Sequence, residues 1–232
     1  MITLQRSMDR RHVMDGSQET WMSFDHGNDA APFNRGFRGL DLLNEVKLLP
    51  GTELKLESEG SHESITYVRE GSLVMHRLSS KDEFLGPGYC QRANSHRLMV
   101  TGACVESALQ GAHIFVSSIT PDRSPGEPSY ERKHYPYSNR RGQLQLIASP
   151  DGAGGSLRLR EDVRIYSSVL DRGRHVVHEL GPGRGSWLHV VTGKILLVDQ
   201  FLEAGDGASL DNELAVSFTA QEASEILLFD LA

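Results

Sequence analysis

The chain has 232 residues, with 24 Lys and Arg against 31 Asp and Glu and a formal net charge of −7. That length suffices for one large β domain or two small ones, each with its own core, and the acidic balance argues against a broad nucleic-acid or anionic-membrane surface. No apolar run approaches the roughly 18 residues of a membrane helix, MITLQRSMDRRHVMDG has no apolar stretch of a secretory signal, and Cys90 and Cys104 are too few for a disulfide framework. A cytoplasmic protein in which each cysteine is a small buried hydrophobe is the expectation.

The first predicted strand covers 40–49 (LDLLNEVKLL) and ends at the turn Pro50-Gly51. Segments 64–69 and 72–78 flank Glu70-Gly71, which reads as the tight turn of a hairpin. Leu85-Gly86-Pro87-Gly88 breaks the chain again, a less regular extended region follows through Val100, Val105 and Leu109, and 113–119 alternates as another strand. The run 120–142 carries four prolines, many charges and no apolar periodicity, which predicts an extended crossing between domains. Strands resume at 143–148, 156–160, 163–170, 174–180, 187–191, 194–201, 214–218 and 225–231, with glycine-rich turns between them. No long helix is signalled. Such short, evenly spaced strands suggest barrels or sandwiches rather than βαβ units.

A faint internal repeat supports two copies of one unit. Tyr67 through Gly71 and SLVM, followed by Phe84-Leu85-Gly86-Pro87-Gly88, parallels His189 through Gly193 and KILL, followed by Glu203-Ala204-Gly205-Asp206-Gly207. The expected organisation is an all-β chain of two tandem antiparallel β-barrels: 1–120, a crossing at 121–142, and 143–232. One chain whose two barrels satisfy each other's open edges is expected to be a monomer.

Between Gly51 and Gly71 three carboxylates, Glu57, Glu59 and Glu63, stand at spacings that put them on one face of a regular strand. Three readings compete: a solvated rim, a metal-free polar pocket, or a divalent cation held by carboxylates. In a pocket without a metal, like-charge repulsion and desolvation would raise at least one of their pKa values. Carboxylate oxygens suit hard ions such as magnesium, manganese or calcium, whereas imidazole suits iron, nickel, copper and zinc. His62 falls on the opposite parity, and His96 follows Asn94-Ser95 in a predicted turn from which it can swing toward a pocket. His113 reads as a core or pocket-wall residue, and His189 has no neighbouring metal-ligand pair. Arg10-Arg11 and Arg140-Arg141 read as solvated charge pairs, and Trp21, Phe24, Phe33 and Phe37 as part of an N-terminal segment packing across the barrels. The glycine-rich stretches at 152–155 and 181–185 lack the lysine of a phosphate loop, and no serine sits in G-x-S-x-G.

These residues also carry a resemblance that spans nearly the whole chain. WMSF ending at Phe24, GFRGLDLLNE from Gly36 to Glu45, Pro50-Gly51, ITYVREG from Ile65 to Gly71, Pro87-Gly88 with Gln91-Arg92, and PSYERK from Pro128 to Lys133 resemble the pirin family, bicupin proteins of the cupin superfamily. The match continues through LIASPDG from Leu146, WLHVVTG from Trp187, AGDG from Ala204 and ILLFDL from Ile226. The resemblance implies two cupin-type antiparallel β-barrels packed face to face, the N-terminal one holding a single iron-like metal through three histidines and a glutamate. Two of those histidines form an H-x-H pair, and here that pair falls on Glu57 and Glu59. The later family motif G-x-G-V-x-H-S-E should follow Gln91-Arg92, but the chain reads NSHRLMVTGACVESA from Asn94 to Ala108, and neither alignment onto Glu106 or Ser107 supplies the histidine.

Glu57, Glu59, Glu63, His96 and Glu106 are therefore the candidate residues of a degenerate site. The expectation is a protein without a cofactor, the alternative being one divalent metal ion. Its expected role is a non-catalytic binding or regulatory module for an unidentified small molecule or protein. The alternative is a metal-dependent dioxygenase resembling quercetin 2,3-dioxygenase.

Overall fold

A computed structural model describes residues 1–24, 26, 33, 35–56, 63–75, 82–94, 100–104, 110–120 and 129–232. In the first half, a seven-stranded sheet runs in the order Ser129–His134, Tyr89–Asn94, Glu63–Glu70, Ala112–Ile119, Leu40–Leu48, Gln18–Met22, Arg11–Asp15. Its companion has four strands, Glu53–Leu56, Val100–Cys104, Leu73–Met75 and Glu83–Leu85. The second half repeats the plan. Its seven-stranded sheet is Ile2–Gln5, Gly207–Asp211, Gly185–Thr192, Ser224–Leu231, Val163–Leu170, Gln145–Ser149, Leu157–Arg158, and its four-stranded sheet is His175–Glu179, Ala215–Ala220, Lys194–Leu197, Gln200–Glu203.

This arrangement corrects the expected barrels. Among the described residues the end strands of each sheet do not pair with each other, so each half is an open two-sheet sandwich rather than a closed barrel. Alternating short strands with glycine turns are common to both architectures, and closure depends on edge pairings that no local pattern encodes. The predicted hairpin at Glu70-Gly71 is corrected too. Glu63–Glu70 pairs with Ala112–Ile119 and Tyr89–Asn94, while Leu73–Met75 pairs with Val100–Cys104 and Glu83–Leu85, so the turn carries the chain from one sheet to the other.

The internal repeat is visible at these corners. Gly71 and Gly193 each follow the third strand in the order of a seven-stranded sheet and turn the chain into the four-stranded one. Both have positive φ, 71° and 81°, and a Cβ would lie 2.0 Å from the Gly111 carbonyl oxygen at Gly71 and 2.3 Å from the Ala223 carbonyl oxygen at Gly193. Only glycine combines that backbone with that approach. At the outer edges the two halves borrow differently. Ser129–His134, inside the proline-rich crossing where the sequence predicts no strand, pairs with Tyr89–Asn94, whereas the matching edge in the second half is filled by the N-terminal strand Ile2–Gln5 against Gly207–Asp211.

Alternation along the central strands explains where the core sits. On Glu63–Glu70, Val68 faces the first sandwich interior with Val46, Leu48, Leu73, Leu85 and Ile114, while Ile65 and Tyr67 point the other way. On Gly185–Thr192, Leu188 and Val190 fill the second sandwich, and Trp187 and Val191 point outward. The outward faces meet and share one core that includes Leu40, Leu43, Phe115, Ile165, Leu227 and Phe229. Phe24, Phe33 and Phe37 surround the Trp187 ring with centroids 5.0, 4.9 and 6.3 Å away, whereas Trp21 stands apart, stacked on His12.

This joint also holds charge. Arg10, expected to be solvated, is buried: its Nη1 donates to Glu45 Oε2 at 2.9 Å and its Nη2 to the Trp21 carbonyl at 3.0 Å. Packing of the N-terminal segment between the halves overrides the usual preference of arginine for water. Burial pushes the Glu45 carboxyl upward, but its bond to His113 and the charge and bond of Arg10 outweigh that and hold it at about 2. His189 is fully buried against Phe115, and burial with the Arg10 charge lowers it to about 3 against the pull of Glu45. Neither of its ring nitrogens has a hydrogen-bond partner among the described residues.

Two tests follow from these features. Gly183, also at positive φ but with nothing within 4 Å of where a Cβ would stand, is the reference for the corner glycines. Gly183→Ala should cost about 1–2 kcal/mol and Gly71→Ala at least about 2 kcal/mol more, read from urea midpoints; equal losses would refute the corner argument. The second test concerns acid. The unfolded chain protonates His189 near its ordinary value of 6.5 while the fold does not until about 3, so stability falls as pH drops through that window. Glu45 adds to the loss as pH falls from 4.5 toward 2. His189→Leu should remove a slope of up to about 1.4 kcal/mol per pH unit between pH 6.5 and 5, and identical wild-type and variant slopes would contradict the assignment.

Candidate functional site

Of the five residues picked out in the sequence, Glu57, Glu59, His96 and Glu106 lie outside the described residues, as does His62. The flanking strands are described. Leu56 pairs with Val100, and Glu63 pairs with Asn94, so the chain segments that begin after Leu56 and after Asn94 join the same two sheets. Glu63 opens the strand Glu63–Glu70 on the same parity as Ile65 and Tyr67, which places it toward the joint with the second half.

There its side chain is buried and its Oε2 accepts the backbone N–H of Arg160 at 2.9 Å. The Arg92 guanidinium lies 3.7 Å from Oε1. Burial raises the Glu63 carboxyl above its ordinary value, and the N–H groups of Arg160 and Glu161 and the charge of Arg92 oppose that without cancelling it. Glu63 therefore anchors the 159–162 loop of the second half to the first.

A second polar system crosses the same joint. His113 Nε2 lies 2.8 Å from Glu45 Oε1, and Arg69 Nη1 lies 3.3 Å from His113 Nδ1. Arginine only donates, so Nδ1 accepts and the ring proton sits on Nε2, facing the carboxylate. Arg69 Nε in turn lies 3.3 Å from Glu225 Oε2, and Arg140 Nη1 donates to Glu225 Oε1 at 2.8 Å and to the Tyr67 hydroxyl at 2.6 Å. Tyr67 donates to the same Glu225 oxygen. Burial, reinforced by the Glu225 charge, raises the Tyr67 phenol, and burial pushes Cys90 up to about 12, so neither ionises near neutrality.

Arg140, expected to be solvated, is thus a buried hub, while its neighbour Arg141 stays exposed against Asp171. Sequence reasoning missed Arg10, Glu45, Arg69, Arg140 and Glu225 as one system because they are scattered over the chain and each has an ordinary local setting. Parity offered a partial signal: Tyr67 and Arg69 share a face, and Glu225 directly precedes the apolar run ILLFDL.

The second sandwich offers no comparable chemistry. Its interior is closed by Val176, Leu188, Val190, Ile195, Leu197, Leu202, Val216, Phe218 and Ile226. Among the described residues no group of three or more His, Cys, Asp or Glu side chains is arranged to hold a metal ion. Among the same residues no helix is long and apolar enough to cross a membrane.

Comparison with known proteins places this architecture. The quercetinase C-terminal cupin domain family matches residues 146–231. The quercetin 2,3-dioxygenase of Escherichia coli K12 is 28% identical over 237 residues, covering 100% of this chain and 99% of that protein. A pirin-like protein of Caulobacter vibrioides is 27% identical, covering 94% and 96%. The crystal structure of the bacterial pirin YhhW from Escherichia coli in complex with nickel(II) superposes with a TM-score of 0.87 at 29% identity, covering 100% of this chain and 99% of that one. Along its full length the chain is homologous to pirin and quercetin-dioxygenase-like cupin proteins and shares their fold.

Proposed function

We propose that this chain is a pirin-type protein whose metal chemistry has lapsed and which acts as a binding or regulatory module. The observation that carries the reading is the donor set. Where the resemblance implies an H-x-H pair the chain has Glu57 and Glu59, and where it implies a further histidine and glutamate the chain reads VESA around Glu106. Exchanging imidazoles for carboxylates adds negative charge and replaces borderline ligands by hard oxygen donors. Such a set does not suit a tight iron or nickel centre.

The surroundings of Glu63 support the same reading. Its carboxylate is already engaged by the Arg160 N–H and flanked by Arg92 at the joint, a structural anchoring role. The residues present do not fit the metal held by such relatives, so no reaction step is derived through one. What the fold then offers a partner is its surface and the clefts where the two sandwiches meet.

The test is chemical. The full chain, expressed with iron or nickel supplementation and purified without chelator, should carry well under one metal per chain by elemental analysis and should not cleave quercetin under dioxygen. Near one iron, nickel or copper per chain, together with flavonol cleavage, would establish the dioxygenase reading instead.

A further inference from the structure

The charged system at the joint does not end in the interior. At its Glu225 end it opens into a cleft of about 390 Å³ between the halves, bordered by Tyr67, Arg69 and Pro87 from the first, by Tyr137 and Arg140 from the crossing and by Thr192 from the second. Charge is not balanced there. From Arg10 to Arg140 the buried system contains three guanidiniums, Arg10, Arg69 and Arg140, and two carboxylates, Glu45 and Glu225. Arg10 is matched by Glu45, and Glu225 is shared by the other two.

His113 adds no charge while its Nδ1 accepts from Arg69, and Tyr67 and Cys90 are neutral. The one further carboxylate on Arg69 among the described residues is Glu70, which is 64% exposed at the rim and screened by solvent. Both guanidiniums keep donor capacity, since the Nη2 groups of Arg69 and Arg140 have no protein acceptor among the described residues.

We propose that this cleft between the two sandwiches binds a small organic monocarboxylate through Arg69 and Arg140. One negative charge completes the balance. A planar carboxylate matches guanidinium donors in geometry as well as sign. A phosphate dianion would overshoot the balance beside Glu225. The remaining wall favours a ligand with an apolar body, because Pro87, Val169 and the half-exposed ring of Tyr137 border the mouth. Glu63, the one candidate of the degenerate site among the described residues, does not border this cleft.

Benzoate is the probe, titrated calorimetrically into the full chain in EDTA at constant ionic strength, with acetate and inorganic phosphate as parallel arms. Expected are saturable binding of one benzoate, weaker acetate, and phosphate weakest. Arg69→Gln leaves two guanidiniums and two carboxylates and should weaken benzoate at least about tenfold, the loss of one charge-assisted hydrogen bond. Arg69 is partly exposed, so the variant is expected to fold. Tyr137→Ala, at a 53% exposed position, should weaken benzoate about threefold and leave acetate unchanged. No saturable benzoate binding, undiminished affinity in Arg69→Gln, or phosphate binding more tightly than benzoate would each overturn the proposal.

Discussion

The rest of the structure depends on the burial of two outward sheet faces against each other. Each seven-stranded sheet has an inner face that closes its own sandwich and an outer face of Ile65, Tyr67 and Phe115 or of Trp187, Leu227 and Phe229 that would be exposed if the half stood alone. An apolar surface of that kind in water is unfavourable in proportion to its area. The halves therefore fold as partners, and the chain reinforces the bond by exchanging segments: Ile2–Gln5 completes a sheet of the second half before the chain builds the first. Phe24 and Phe33 then seal the Trp187 ring from the side.

The joint also decides where polar chemistry resides. The network from Arg10 to Glu225 brings five charged groups into it, and each carboxylate of that network serves at least one guanidinium at hydrogen-bond or ion-pair distance. A buried pair of this kind adds little net stability over an apolar one, yet breaking it leaves a charge without water. The system consequently fixes the relative position of the halves rather than supplying their cohesion, which comes from the aromatic and aliphatic core. By contrast, the described interiors of both sandwiches are filled with apolar side chains.

Strand positions were legible where local chemistry is decisive. The turns at Gly71 and Gly193, though not the passage of Gly71 between two sheets, the strands at Ala112–Ile119, Val163–Leu170 and Ser224–Leu231, and the repeat that relates the halves follow from alternation and turn residues. Closure was not legible, because whether a sheet's end strands pair is settled by three-dimensional curvature. The strand Ser129–His134 was hidden by its charges and by the prolines that flank it, which suit an edge as well as a linker. Arg10 and Arg140 escape a sequence reading for a related reason: a paired arginine looks solvated in sequence until its carboxylate, 35 residues away for Glu45 and 85 for Glu225, is brought beside it. For the candidate site, Glu63 alone falls among the described residues, and its parity with Tyr67 assigns it to the joint only once the outer face is known to be buried.

In the proposed reading the sandwich frame is kept, while Glu57, Glu59 and Glu106 stand where the resemblance implies metal ligands. The central claim is that the frame now serves binding without a metal centre. Diffraction from crystals grown with excess nickel(II), recorded above and below the nickel absorption edge, tests it most directly. The account predicts no ordered anomalous peak beside Glu57, Glu59, Glu63, His96 or Glu106. A single full-occupancy nickel peak coordinated by these side chains would contradict it.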